Sequence, residues 1–281
     1  MRIMIFQGSP EASQTSTAEA GGRTNEVLFT EALQMHDPRV RTFTLTVADG
    51  EQLPQGMSLA DFDGVVISGS PLGVNDDLPS VRSQIELARE VFQSGIPSFG
   101  SCFGLQLMTA ALGGSVRVNP RGREIGIARG IILNEKGRAH AMYRGKPHAF
   151  DALCSHQDEV DALPSGSVVL ASNGVSDVQA ADISHGENSF WGVQYHPEFD
   201  FGLIAALIEK RADRHIREGL ARNADDVAAI VTDFRALDTD ARERTDLHWR
   251  YGLKPDVLAP MVRRVEFGNW LRVKVQPFAE G

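Results

Sequence analysis

Ile96-Pro97-Ser98-Phe99-Gly100-Ser101-Cys102-Phe103-Gly104-Leu105-Gln106 reads as a short apolar strand that runs into Gly-x-Cys-x-Gly and then into a helix over residues 105–112. This is the pattern of a nucleophile elbow, with cysteine where a hydrolase often carries serine. A turn that tight needs small residues beside the nucleophile, and Gly100 and Gly104 supply them. The helix that follows aims its first amides at the sulfur and favours the reactive thiolate. A cysteine among glycines also fits a buried packing residue. A second motif has to decide between the two.

Working outward, Phe62-Asp63-Gly64-Val65-Val66-Ile67-Ser68 is a continuous apolar strand stopped by Gly69-Ser70-Pro71, as expected of a parallel sheet covered on both faces. Val81, Ile85, Ala88 and Phe92 place a helix over 78–94, closed by Gly95. Residues 2–7 read as a first core strand and 9–24 as a polar loop. Asn25 is placed to cap a helix to about residue 35, with Val27, Leu28, Glu31, Ala32 and Met35 at helical spacing. A strand over 40–45 and a loop over 46–62 follow. Strand, helix, strand, helix with short links predicts a doubly wound α/β fold, a mostly parallel sheet with helices on both faces.

From residue 115 the spacing shortens. Segments at 115–119, 125–133, 148–152 and 168–171 suggest hairpins or an antiparallel extension of the sheet. Two further strands, 178–183 and 190–195, face each other across His185-Gly186-Glu187-Asn188, and a helix begins over 201–211. Beyond residue 212 the pattern is helical. Asn223 opens a helix whose apolar positions are Val227, Ile230, Val231, Phe234 and Leu237, and helical segments recur near 239–250 and 256–272. The chain divides into 1–212, carrying the sheet, and a helical C-terminal extension, 213–281. Trp249, Tyr251 and Trp270 in that extension read as packing anchors.

The second motif is Gly192-Val193-Gln194-Tyr195-His196-Pro197-Glu198. A nucleophilic cysteine needs an imidazole to hold its proton and pass it to the leaving group, and the imidazole needs a carboxylate to fix its tautomer. His-Pro-Glu at the end of a strand offers both, with Pro197 fixing the turn between them. Together the two motifs resemble class I (triad) glutamine amidotransferases, whose signatures are G-x-C-x-G-x-Q and G-x-Q-x-H-P-E. The resemblance spans about residues 1–210. It includes Ser68-Gly69-Ser70-Pro71, similar to the family's S-G-G-P oxyanion loop. It also includes Ser155-His156-Gln157-Asp158-Glu159-Val160, similar to the S-H-x-D-x-V segment of the domain attached to GMP synthetases. The resemblance implies Cys102 as nucleophile, His196 as base and acid, and Glu198 as orienter. It implies oxyanion donors from the amides of Phe103 and Ser70, with Gln106 near the substrate glutamine and His156 shaping its pocket. Ser70 stands where the family usually has glycine, yet serine keeps the backbone amide. His156 taken alone fits a surface loop equally well. Arg121, Arg123 and Glu124 read first as a solvated loop.

Composition bounds the remainder. The chain of 281 residues has a formal charge of −9 and 42% hydrophobic residues, which argues for a sizeable core and against a nucleic-acid surface. No apolar run reaches membrane-spanning length. The first residues are broken too soon for a signal peptide, so a cytoplasmic thiol protein is expected. With Cys102 and Cys154 the only cysteines, no disulfide framework is expected, and Cys154 reads as a small buried hydrophobe. His140, His148 and His156 lack accompanying cysteines, so no zinc site is expected. No phosphate-cradling G-x-x-x-x-G-K-[ST] occurs, and the reaction implied needs no cofactor. That reaction is hydrolysis of the γ-amide of glutamine to glutamate and ammonia through a thioester. A synthetase subunit that accepts the ammonia and a homodimer are partners such a chain could have. The rival readings are a hydrolase of another γ-glutamyl peptide or amide, and a non-catalytic interaction protein docking through its helical tail.

Overall fold

The computed structural model describes residues 1–185 and 188–280, so the turn expected at Gly186-Glu187 lies outside the described residues. Eleven strands form among the described residues: β1 (Arg2–Phe6), β2 (Arg41–Leu45), β3 (Gly64–Ile67), β4 (Ser98–Ser101), β5 (Ser115–Val118), β6 (Glu124–Leu133), β7 (Ala149–His156), β8 (Asp158–Ala162), β9 (Val168–Ser172), β10 (Ala180–His185) and β11 (Asn188–Val193). Nine of them make one sheet in the order β2-β1-β3-β4-β11-β10-β9-β6-β7, and β5 pairs with β8 in a second. The pairs from β2 across to β11 are parallel. Those from β11 to β7 are antiparallel, so β10 and β6 run against the rest and the sheet is mostly parallel.

The helices are α1 (Glu11–Glu19), α2 (Asn25–Gln34), α3 (Pro79–Gln93), α4 (Phe103–Ala111), α5 (Glu135–Ala139), α6 (Phe201–Lys210), α7 (Ala212–Arg217), α8 (Ala224–Asp240), α9 (Thr245–Tyr251), α10 (Pro255–Leu258), α11 (Pro260–Arg263), α12 (Val265–Trp270) and α13 (Gln276–Glu280), with a π-helical turn at Leu271–Val275. Alternation along β1 assigns them to faces. Ile3 and Ile5 pack with Phe29 and Leu33 of α2, whereas Met4 and Phe6 pack with Val91 of α3 and Leu105 of α4. The expected α/β architecture with helices on both faces is what forms.

The helical tail is part of this packing. Phe267 and Trp270 of α12 are fully buried in the same cluster as Ile3, Val66 and Phe99. The Phe267 ring lies 4.9 Å from Phe99 and 5.7 Å from Phe29, and Trp270 lies 6.2 Å from Phe99. A third cluster joins α6 to α8, where Phe201 meets Phe234 edge to face.

Several expectations need correction. Residues 11–19, read as loop, are helical; of α1 only Thr17 is buried, so its residues carry no apolar period to betray it. Asn25 is not the cap. Thr24 holds that position, and the buried face of α2 is Asn25, Leu28, Phe29, Ala32 and Leu33, leaving Val27 and Met35 exposed. The loop at 46–62 contains two short 3-10 turns, Val47–Asp49 and Leu59–Asp61. Strand β8, absent from the sequence reading, pairs with β5 and carries three carboxylates in five residues, Asp158, Glu159 and Asp161, which mask its strand pattern. The segment 256–272 is not one helix: proline cannot continue the hydrogen-bond ladder, and α10 stops at Leu258 before Pro260 opens α11. Trp249 is 89% exposed and anchors nothing.

Candidate active site

Cys102 stands between the C-terminal end of β4 and the first turn of α4, with φ 53° and ψ −106°. It is the only non-glycine with positive φ among the described residues. Such a backbone costs on the order of 1–3 kcal/mol and persists only where the surroundings hold it. Here the Cys102 amide donates to Val193 O of β11 at 2.7 Å. The two glycines act through space. A Cβ on Gly100 would lie 2.6 Å from the Phe190 ring, and one on Gly104 2.5 Å from Ile67 O. Helix α4 therefore packs onto β3 and β4 at a distance no side chain permits.

His196 follows β11, next to β4 in the sheet. Its Nδ1 meets Glu198 Oε1 at 2.6 Å, and Phe199 stacks on the ring with centroids 3.6 Å apart. The Ser101 hydroxyl donates to Glu198 Oε2 at 2.9 Å, so the residue before the cysteine is tied to the carboxylate that holds the histidine. Arg264, from the tail, donates to Glu198 O at 3.2 Å. Burial alone pulls the His196 pKa down. The charge of Glu198, the nearby Cys102 and the hydrogen bond to Glu198 outweigh it and bring the pKa to about 9.

That shift has a sign. The folded pKa lies above the ordinary value of 6.5, so the contribution to stability is complete below pH 6.5 and is lost as pH rises through about 9. Glu198→Gln removes the charge responsible. The stability gap between the parent and this variant, read from urea midpoints, should be widest below pH 6.5 and narrow toward pH 9 and above. A gap that stays constant across that range refutes this account of the pair.

The Ser68–Pro71 loop faces the cysteine. Gly69 lies so close to the imidazole that a Cβ there would be 2.7 Å from His196 Cε1. The Ser68 hydroxyl donates to Gln7 Oε1 at 2.8 Å, and Asn25 Nδ2 donates to Gln7 Oε1 at 2.9 Å and Gly69 O at 3.3 Å. Gln7 and Asn25 thus hold the loop, a task the sequence reading did not assign to them. Among the described residues neither the Ser70 amide nor the Phe103 amide donates a hydrogen bond within the chain. The Ser70 hydroxyl turns away and accepts from the Leu72 amide.

A cavity of about 350 Å³ opens over Cys102. Ser70, Gln106, His156 and His196 line it, so most of the residues expected at the site are brought together. Gln106 is buried, with Nε2 donating to Asp158 O at 2.9 Å and Gln194 Oε1 at 3.1 Å. His156 is no surface-loop residue: it is buried at the end of β7, its Nε2 2.9 Å from Glu124 Oε2. The solvated reading of 121–124 holds for Arg121 alone, which pairs with Asp177 at the surface. Glu124 is buried, and the Arg123 side chain, 6% exposed, lines the cavity and pairs with Glu218. Asp158, also on the wall, has its pKa raised by burial and by nearby Asp76. Ser13 and Thr17 of α1, together with Leu203, Leu207 and Arg211, complete the mouth. None of these lay in a recognised motif. Cys154 is fully buried in β7. Among the described residues no group of three or more His, Cys, Asp or Glu is placed to hold a metal ion, and no helix is long and apolar enough to cross a membrane.

Known proteins resemble the chain in three ways. The profile of the family described as glutamine amidotransferase class-I matches residues 29–211. A γ-glutamyl-L-1-hydroxyisopropylamide hydrolase of Pseudomonas sp. is 33% identical over 286 residues, covering 100% of this chain and 95% of its own. A glutamine-hydrolysing GMP synthase of Lactococcus lactis subsp. cremoris is 36% identical over 135 residues, which is 48% of this chain and 24% of the synthase. The crystal structure of a glutamine amidotransferase from Thermotoga maritima matches with a TM-score of 0.66 at 18% identity over 98% of both chains, a likeness of fold.

Proposed function

Since the chain belongs to the class-I glutamine amidotransferase family, we propose that it is a cysteine-dependent hydrolase of γ-glutamyl amides whose substrate carries a substituted amide nitrogen. The observation that carries this reading is the extent of the similarity. The γ-glutamyl amide hydrolase aligns along the whole chain, tail included, whereas the GMP synthase aligns over about half of it. The cavity supports it too. Beyond the sulfur its wall continues past Leu203 and Leu207, offering apolar surface to an amine substituent.

The chemistry follows from the residues. Cys102 thiolate attacks the γ-carbonyl carbon, and the amides of Phe103 and Ser70 receive the developing oxyanion; each such donor is worth roughly 3 kcal/mol in a water-poor site. Imidazolium at His196 gives its proton to the departing nitrogen, the C–N bond breaks, and a γ-glutamyl thioester remains. Neutral His196 then takes a proton from water, whose hydroxide attacks the thioester, and glutamate leaves as the thiolate is restored. Glu198 holds the imidazole tautomer throughout, and Ser101 holds Glu198.

Glutamine hydrolysis with delivery of ammonia to a synthetase subunit is the second reading, favoured by the similarity to GMP synthases. Glutamate release measured with glutamine and with a panel of γ-glutamyl alkylamides and amino alcohols separates the two. A kcat/KM at least tenfold higher for a substituted amide is expected. A preference for glutamine selects the second reading, and absence of release from every member of the panel ends both.

A further inference from the structure

Three guanidinium groups, Arg123, Arg211 and Arg214, line the cavity, and two of them share a single carboxylate. Glu218 pairs with Arg123 at 2.9 Å and lies 3.9 Å from Arg214. Arg23, also on the wall, is paired with both Asp200 and Glu31. Arg211 differs from all of them. It is half-buried, among the described residues it forms no ion pair, and its side chain makes one hydrogen bond, from Nη1 to Ser155 Oγ at 3.2 Å. Ser155 also touches the candidate nucleophile, its carbonyl oxygen standing 3.9 Å from Cys102 Sγ. One residue therefore separates the sulfur from a cation that has no carboxylate within ion-pair distance among the described residues. Burial, then the charges of Arg123 and Arg214, pull the Arg211 pKa below the usual guanidinium value. A half-buried guanidinium is costly without an anion, and its planar fork suits a carboxylate in bidentate contact.

We propose that Arg211 is the docking point for a carboxylate of the substrate, so that the γ-glutamyl compound is held by an anion at Arg211 while its γ-carbonyl lies at Cys102. The inference rests on the γ-glutamyl reading above and adds to it the residue that anchors the substrate. Four single bonds of about 1.5 Å join a γ-carbonyl carbon to an α-carboxylate carbon, and a single residue, Ser155, contacts both the sulfur and the guanidinium that they have to bridge. Two carboxylates share the chemistry, the α-carboxylate of the glutamyl group and a carboxylate on the amine side of a γ-glutamyl amino acid. Asp76 and Asp158, the carboxylates that line the cavity, repel either anion and leave the arginine side as its place.

The test uses the whole 281-residue chain carrying Cys102→Ala, which holds substrates without turnover, with and without Arg211→Met or Arg211→Lys. Calorimetry is run with L-glutamine, its α-amide, γ-L-glutamyl-L-alanine and γ-L-glutamylethylamide. If the α-carboxylate docks, Arg211→Met weakens glutamine, γ-glutamylalanine and γ-glutamylethylamide about ten- to a hundredfold and leaves the α-amide unchanged. If the amine-side carboxylate docks, γ-glutamylalanine alone weakens. Arg211→Lys recovers part of the loss in either case. Equal affinities in parent and variant, equal losses for all four ligands, or no binding of any ligand by the parent overturn the proposal. Failure of the parent reading is scored separately, by absence of glutamate release from wild-type protein.

Discussion

Cys102→Ala is expected to abolish glutamate release, lowering kcat by on the order of 10⁴-fold or more, while leaving the fold intact. The loss is large because His196 and Glu198 have no other nucleophile to serve; the neighbouring hydroxyl, Ser101, is committed to Glu198. A companion variant gives the prediction a second edge. Cys102 holds φ 53°, which a residue with a Cβ adopts only under constraint. Cys102→Gly keeps that backbone without the steric cost, and should be more stable than Cys102→Ala by about 1 kcal/mol after glycine's greater unfolded-state entropy is set against the relief. Inactive glycine and alanine variants, with the glycine variant unfolding at the higher denaturant midpoint, establish a strained nucleophile. Residual turnover in either variant refutes the assigned nucleophile. A glycine variant less stable than the alanine variant refutes the strain.

What was legible in the sequence was what the chain encodes over a few residues. Gly100 and Gly104 bracket Cys102 within five positions because α4 has to touch β3 and β4, and that requirement leaves a local mark. His196 and Glu198 sit two residues apart and needed only their strand to be aimed. The apolar runs of β1 and β3 announced a sheet buried on both faces. What stayed hidden was the other half of the cavity. Helix α1 presents Ser13 and Thr17 to it with almost no apolar face, so no periodicity flagged it. Arg123 and Arg211 lie 88 positions apart (211 less 123) in stretches without a motif, and meet because β6 and α6 converge beside β7. Arg264 reaches Glu198 O from 66 positions away. Charged residues at such separations look like solvent-facing side chains until the topology places them.

The tail carries the second large effect, which concerns stability. Trp270 is fully buried; its ring passes so close to Gly64 of β3 that a Cβ there would lie 2.9 Å from Cη2. It closes the sheet face formed by Ile3, Val66 and Phe99 together with Phe267 and Val275. Trp270→Ala opens a cavity between α12 and the strands beneath Cys102, and is expected to cost about 3–5 kcal/mol. Against a total of about 5–15 kcal/mol for an ordinary domain, that is a large share. The tail is joined to the sheet by polar groups too: Lys146 Nζ lies 2.9 Å from Glu266 Oε1, which also accepts from the Tyr195 hydroxyl, one residue before His196. Both partners of that ion pair are almost wholly buried, so breaking it by fraying of the tail strands a charge in the core. The sheet and the tail should therefore unfold together, in one transition shifted to lower urea by Trp270→Ala, and far-ultraviolet and tryptophan signals should coincide. A biphasic curve, in which an early phase carries the tail and the later phase keeps the parent midpoint, would show that residues 213–281 are a detachable attachment and that Trp270 does not stabilise the strands that hold Cys102.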